Sequence, residues 1–194
     1  MALPIILASS SPYRRELLAR LRLPFECHSP DIDETPLAGE LPAALAERLA
    51  RTKAEAVASS RHEPSLVIGS DQVASIGGEP IGKPGSHERA RAQLQRASGR
   101  TLDFYTALTI LNSGSGRREN ALDVTRVTFR RLADAEIERY LDHECPYNCA
   151  GSFKAEGLGI TLFKSIESSD PTALIGLPLI AVSTLLRRFE LCLP

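Results

Sequence analysis

The sequence predicts a mixed α/β fold, and three stretches carry that expectation. Leu3 to Ala8 is an apolar run of strand type that passes through serines and a proline into a helical stripe of Leu17, Leu18 and Leu21. Pro42 to about Ser60 is rich in Ala, Glu, Arg and Lys, as a helix requires, and leads into the β-type run Leu66-Val67-Ile68. Leu102 to Leu111 and Ala121 to Phe129 are long β-type runs joined by Asn112-Ser113-Gly114-Ser115-Gly116, the pattern of an antiparallel hairpin.

At 194 residues the chain fits one domain spanning 1–194, or two closely joined lobes. A net charge of −1 provides no basic field to recruit nucleic acid, and 5% aromatic content without Trp provides no stacking platform for single strands. The N-terminus lacks a basic n-region and no stretch approaches the ~20 apolar residues of a membrane span, so a cytoplasmic setting is expected. Cys27, Cys145, Cys149 and Cys192 show no C-x-x-C spacing. They are expected to be reduced thiols, mostly buried, rather than a zinc site.

In the first helix Ser11 is placed to N-cap and Pro12 to occupy the first position. Free backbone N–H groups and the positive end of the helix dipole suit a phosphate there. Arg14 falls at the third helical position, where a cation opposes the dipole unless an anion joins it. An ordinary capped helix with exposed arginines fits the same residues. Leu23 to Cys27 reads as a short strand, followed by the loop Ser29 to Pro36. That loop's carboxylates Asp31, Asp33 and Glu34 are either solvated or ligands for a hard cation.

In the second helix Leu45, Leu49 and Lys53 share an i, i+4 row, so Lys53 either snorkels at a rim or points into a cleft. The strand Leu66 to Ile68 is expected to end at Gly69-Ser70, where the backbone turns and delivers Asp71 and Gln72 to the carboxyl edge of a sheet. Gly77-Gly78 reads as a hairpin turn between Val73 and Ile81. Lys83 is fixed between Gly82 and Pro84, which suits a point charge on phosphate. Helices are expected over His87 to Ala97, Asp134 to His143, and a C-terminal stretch ending near Phe189. Between the last two, Ala150 to Gly159 is glycine-rich with Lys154 and Glu156. It is either a turn before a strand Ile160 to Phe163 or a loop wrapping a ligand.

The cationic features (the serine turn with Arg14, Lys53, Lys83) and the acidic ones (Glu34, Asp71) are what a metal–triphosphate site needs. No Walker A sequence, G-x-S-x-G or HExxH occurs.

The ordered set S-S-S-P-x-R-R, Asp33-Glu34, R-L-A-x-x-K from Arg48 to Lys53, G-S-D-Q from Gly69, G-K-P from Gly82, A-G-S-F-K-x-E-G from Ala150 and G-L-P resembles the Maf family of nucleotide pyrophosphatases over nearly the whole chain. Tyr13, Gln72 and Glu156 are similar to the 7-methyl-GTP subgroup. The dTTP/UTP branch usually has Arg, Thr and Gln at those places. The resemblance implies an elongated mixed sheet flanked by helices, with two lobes around a central cleft, and a homodimer in many members. It implies hydrolysis of a nucleoside triphosphate between the α and β phosphates, with a divalent cation, Mg²⁺ or Mn²⁺. Carried over residue by residue, Asp71 activates water, Ser9, Arg14, Lys53 and Lys83 hold phosphates, Glu34 holds the metal, and Tyr13, Gln72 and Glu156 select the base. The rival readings are a pyrophosphatase for dTTP, UTP or other non-canonical nucleotides, and a nucleotide-binding regulator of cell division. An intact Asp71 beside an acidic metal ligand favours turnover.

Overall fold

The structure is a computed structural model, and it describes residues 3–193. Seven strands form one mixed sheet: β1 (Ile5–Ala8), β2 (Phe25–His28), β3 (Leu66–Ile76), β4 (Glu79–Ile81), β5 (Thr101–Asn112), β6 (Arg118–Phe129) and β7 (Phe163–Glu167). The order is β2-β1-β3-β5-β6-β7, with β4 paired to β3. β1 runs parallel to β2 and β3, whereas every other pair is antiparallel. Among the described residues five α-helices accompany the sheet: α1 (Pro12–Ala19), α2 (Pro42–Ser59), α3 (His87–Ala97), α4 (Asp134–Glu144) and α5 (Leu179–Arg188). Among the described residues no helix is long and apolar enough to cross a membrane.

The long strands serve two halves, because alternate residues of β3 point to opposite faces. Leu66 and Ile68 pack with α1 and α5 around Leu17, Leu18, Val182 and Leu186. Farther along the same face, Ala74 and Ile76 join α3 and α4 around Leu94, Phe104, Ile137 and Leu141. The opposite face carries Val67 and Val73 against α2, through Ala54 and Val57 at one end and Leu45 and Leu49 at the other. The two halves therefore share a sheet and leave a cleft between them.

Three expectations are corrected. The backbone does not turn at Gly69-Ser70, because β3 continues unbroken to Ile76. Gly69 is small for a different reason: a Cβ there would collide with the Ala50 carbonyl oxygen and lie 2.8 Å from Ala54 N of α2. The last strand is Phe163–Glu167 rather than Ile160 to Phe163, since Leu158–Leu162 coils as a 3₁₀ turn folded tightly on Lys154. The cysteines are free but not mostly buried. Cys27 on an edge strand, Cys145 at the end of α4 and Cys192 in the C-terminal tail are exposed, and only Cys149 is partly covered.

Candidate active site

The site grows out of a gap in the sheet. On one edge of β3, pairing with β1 ends at Ala8–Gly69 and pairing with β4 starts at Ala74–Ile81. Residues 70–73 have no strand on that side, while their other edge pairs with β5 throughout. A cleft of about 820 Å³ opens at this gap. Its shores are the β1–α1 junction and the segment after β4, which carry the serine turn and Lys83. All nine residues singled out for a site line this one cleft: Ser9, Tyr13 and Arg14, then Glu34, Lys53 and Asp71, and finally Gln72, Lys83 and Glu156.

Asp71 faces α2 and Gln72 the opposite side, as neighbours on a strand must. Lys53, buried on its row with Leu45 and Leu49, does point into the cleft. Its Nζ lies 2.6 Å from Asp71 Oδ1 and 2.6 Å from Glu34 Oε1, so one ammonium joins two carboxylates. Asp71 is nearly enclosed, and Glu34 has 57% of its side chain exposed. Burial pushes the Glu34 carboxyl up, but the Lys53 hydrogen bond and the charges of Lys53, Lys83 and Arg14 outweigh it, leaving it below the ordinary range.

The segment carrying Glu34 is tied to α2 by a second contact, one that sequence reasoning noted in a motif without assigning it. Arg48 Nε donates to Glu40 Oε1 at 2.6 Å and its Nη2 to Glu40 Oε2 at 2.7 Å. Nη2 also donates to the Thr35 carbonyl at 3.1 Å, next to Glu34. The fork of Arg48, helped by the Leu37 N–H, pushes the Glu40 carboxyl down to about 2.

At the β1–α1 junction Ser11 caps α1, its Oγ accepting from Arg14 N at 3.4 Å, and Pro12 opens the helix. Ser9 Oγ accepts from Ser11 N at 3.1 Å and retains its own hydroxyl proton to donate. Arg14 Nε donates to the Gly176 carbonyl at 2.8 Å, and Ser70 Oγ donates to the same oxygen at 3.1 Å. Burial lowers the Arg14 pKa, and the charges of Asp71 and Glu34 pull it back up.

Gln72 Nε2 donates to the carbonyls of Ala173 and Leu174 at 2.9 and 3.0 Å and to Thr106 Oγ1 at 3.0 Å. Two carbonyl acceptors fix which end of the amide is nitrogen, so Gln72 has only its oxygen left for a ligand. The 3₁₀ turn Ala173–Ile175 is thus gripped from two strands, β3 and β5, with Thr106 Oγ1 adding a bond to Ala173 O at 3.0 Å. Ser70 and Thr106 are both fully buried; Ser70 stood in the G-S-D-Q motif without a role, and Thr106, which looks like an ordinary strand residue, carried no signal in the sequence.

Phe153 anchors the glycine-rich block by packing edge-on among Phe104, Phe129 and Phe163, with centroids 4.7–5.7 Å apart. Gly151 has φ +77°, and a Cβ there would press on Phe104 at 3.1 Å. Lys154 is drawn off to Glu144, donating to its carbonyl at 3.0 Å and its Oε1 at 3.1 Å. Glu156 remains exposed on the cleft wall near Tyr13 and Cys149. Burial, with the nearby Cys149, raises the Tyr13 pKa, so its ring carries a neutral phenol.

For a divalent cation the chain offers Glu34 and Asp71, and among the described residues no group of three or more His, Cys, Asp or Glu is gathered. Mg²⁺ is commonly held by one or two carboxylates plus substrate phosphates, so these residues fit a metal that arrives against a phosphate chain.

Residues 4–189 match the family model described as Maf-like protein. The chain belongs to the Maf-like family. It is 60% identical over 184 residues to a 7-methyl-GTP pyrophosphatase of Cupriavidus metallidurans, covering 95% of this chain and 92% of that one. It is 60% identical over 178 residues to a 7-methyl-GTP pyrophosphatase of a Polaromonas species, covering 91% and 80%. Among solved structures, the Staphylococcus aureus Ham1 protein superposes with a TM-score of 0.48 at 18% identity, covering 68% of this chain and 72% of that one.

Proposed function

We propose that this Maf-like protein hydrolyses a nucleoside triphosphate between the α and β phosphates, with 7-methyl-GTP as its preferred substrate. The observation that carries the reading is the pair of carboxylates, Asp71 and Glu34, joined by Lys53 in a cleft whose shore is a serine-capped helix N-terminus. The names of relatives at 60% identity support the choice of nucleotide.

In this reading Asp71, an oxygen base nearly shut off from bulk solvent, accepts a proton from the attacking water. The water oxygen bonds to phosphorus as the α–β bridge breaks, giving a nucleoside monophosphate and pyrophosphate. Ser9, Arg14, Lys53 and Lys83 bind the phosphate oxygens and offset charge on the departing pyrophosphate. Lys83, exposed between Gly82 and Pro84, meets the chain from the far shore. Glu34 is the residue that would hold Mg²⁺ or Mn²⁺, which supplies charge neutralisation at the phosphates when bound. At the base end, the neutral Tyr13 ring stacks on the cationic methylated purine, and the Glu156 carboxylate and Gln72 oxygen accept from its N–H groups. Four unpaired cysteines are in keeping with a reducing cytoplasm as its setting.

Product analysis with Mg²⁺ or Mn²⁺ over a panel of common triphosphates, ITP, 7-methyl-GTP and 5-methyl-UTP tests this. Monophosphate plus pyrophosphate, fastest from 7-methyl-GTP, is expected, and Asp71→Asn should bind nucleotide but lose at least about 10²-fold in turnover. Faster cleavage of dTTP or UTP overturns the base assignment, near-normal turnover of Asp71→Asn overturns the mechanism, and binding without cleavage makes the protein a sensor.

A further inference from the structure

Lys53 is bound more tightly to the carboxylates than a lysine meant only for phosphates needs to be. Two of its three ammonium donors are spent at 2.6 Å on Asp71 and Glu34, and its stem lies on the buried row of α2. One of those oxygens belongs to Glu34, the residue that would hold the metal, and the other to Asp71, the second carboxylate within reach of a cation there. We propose that in the free protein the Lys53 ammonium stands in the place of the metal, so that the metal binds with the nucleotide rather than ahead of it. This rests on the metal-dependent reading of the cleft given above.

The charges make the case. Asp71, Glu34 and Lys53 together carry −1, and Arg14 and Lys83 act on Glu34 as further positive charges. A divalent ion arriving alone has to break two charge-assisted hydrogen bonds and then sit beside the ammonium it displaced. A repelling unit charge at this range weakens cation binding by about tenfold or more. No third carboxylate, histidine or cysteine is gathered with this pair among the described residues to offset the loss. A triphosphate changes the balance, because its oxygens accept from the released ammonium while also supplying ligands to the metal. The ammonium is thus a resident cation that keeps two facing carboxylates together until the substrate replaces it.

The expected result is counterintuitive, since removing a phosphate-binding lysine should improve metal binding. Mn²⁺ titrated into nucleotide-free protein and followed by electron paramagnetic resonance should bind Lys53→Met at least about tenfold more tightly than the wild type. Lys53→Arg, which keeps the charge, should show no gain, and Glu34→Gln in the Lys53→Met background should abolish it. A folded Lys53→Met with no gain overturns the proposal, as does wild-type protein that binds Mn²⁺ equally tightly. A second measurement uses the wild type and survives a failure of the variant to fold. The Lys53 ¹⁵Nζ resonance should stay in place with Mg²⁺ alone and move when Mg²⁺ is added with a non-hydrolysable nucleotide analogue. Movement with Mg²⁺ alone overturns the proposal. None of these readouts needs turnover, so a protein that hydrolyses no nucleotide would sink the proposed activity without deciding this exchange.

Discussion

At the scale of single residues, Gln72 and Gly69 show why a sequence motif can be read for the right place and the wrong reason. G-S-D-Q marks the cleft, and both Asp71 and Gln72 line it. Yet Gly69 is there because α2 packs its backbone against β3, which is a long-range contact that no local pattern records. Gln72, expected only as a base selector, commits its amide nitrogen to the carbonyls of Ala173 and Leu174, 101 and 102 residues away along the chain. Gln72→Glu separates the two duties. It keeps an acceptor for the ligand but turns a carboxylate oxygen toward two carbonyls, of which Ala173 keeps the Thr106 hydroxyl as a donor and Leu174 loses its side-chain donor. An uncompensated buried carbonyl costs about 1–3 kcal/mol. Chemical denaturation should show a loss of that size, and an unchanged midpoint would mean that Gln72 does not hold the turn.

At the scale of elements, the start of the first helix was legible, because Ser11-Pro12 carries local chemistry that acts within one turn. The acidic segment before α2 was legible as a candidate for a cation, but its anchoring was not. Arg48 lies eight residues after Glu40 and reaches back to grip it, and through Thr35 it steadies the neighbour of Glu34. Arg48→Lys keeps the charge but not the planar two-point grip. It should speed limited proteolysis within residues 31–41 and lower turnover by about tenfold, the scale of a modest misplacement at a reacting centre. The pH sign follows from Glu40, whose folded pKa lies below its unfolded one. The stabilisation is complete above the unfolded carboxylate range and is lost only as pH falls through about 2. Wild-type cleavage of this segment, followed with an acid-tolerant protease, should therefore stay slow at pH 4. Rapid cleavage at pH 4, with Arg48→Lys no faster than the wild type at neutral pH, would show that this pair does not fasten the segment.

At the scale of the whole molecule, alternating strand and helix patterns were enough for the mixed sheet, whereas the gap between β1 and β4 that opens the cleft is set by pairing registers. The Ala173–Gly176 stretch lies over the β3 residues beside that gap, held by Ser70 and Gln72. Its Gly176 carbonyl holds Arg14 and Ser70, at the end proposed for the phosphates, and its Ala173 carbonyl holds Gln72 and Thr106, at the end proposed for the base. In the proposed reading one short stretch therefore aims side chains for two chemically distinct parts of a nucleotide, and the two grips can be loosened one at a time. Thr106→Val preserves shape and removes the hydroxyl that steadies Gln72; Ser70→Ala removes the donor that shares Gly176 with Arg14. Each should cost about 1 kcal/mol of stability. Their functional effects should cross. Thr106→Val should narrow the kcat/KM preference for 7-methyl-GTP over GTP while leaving inhibition by pyrophosphate unchanged, and Ser70→Ala should do the reverse. If both variants shift both readouts together, the stretch moves as one rigid body and couples the ends. If neither shifts either readout while stability falls, the stretch is packing alone and aims nothing.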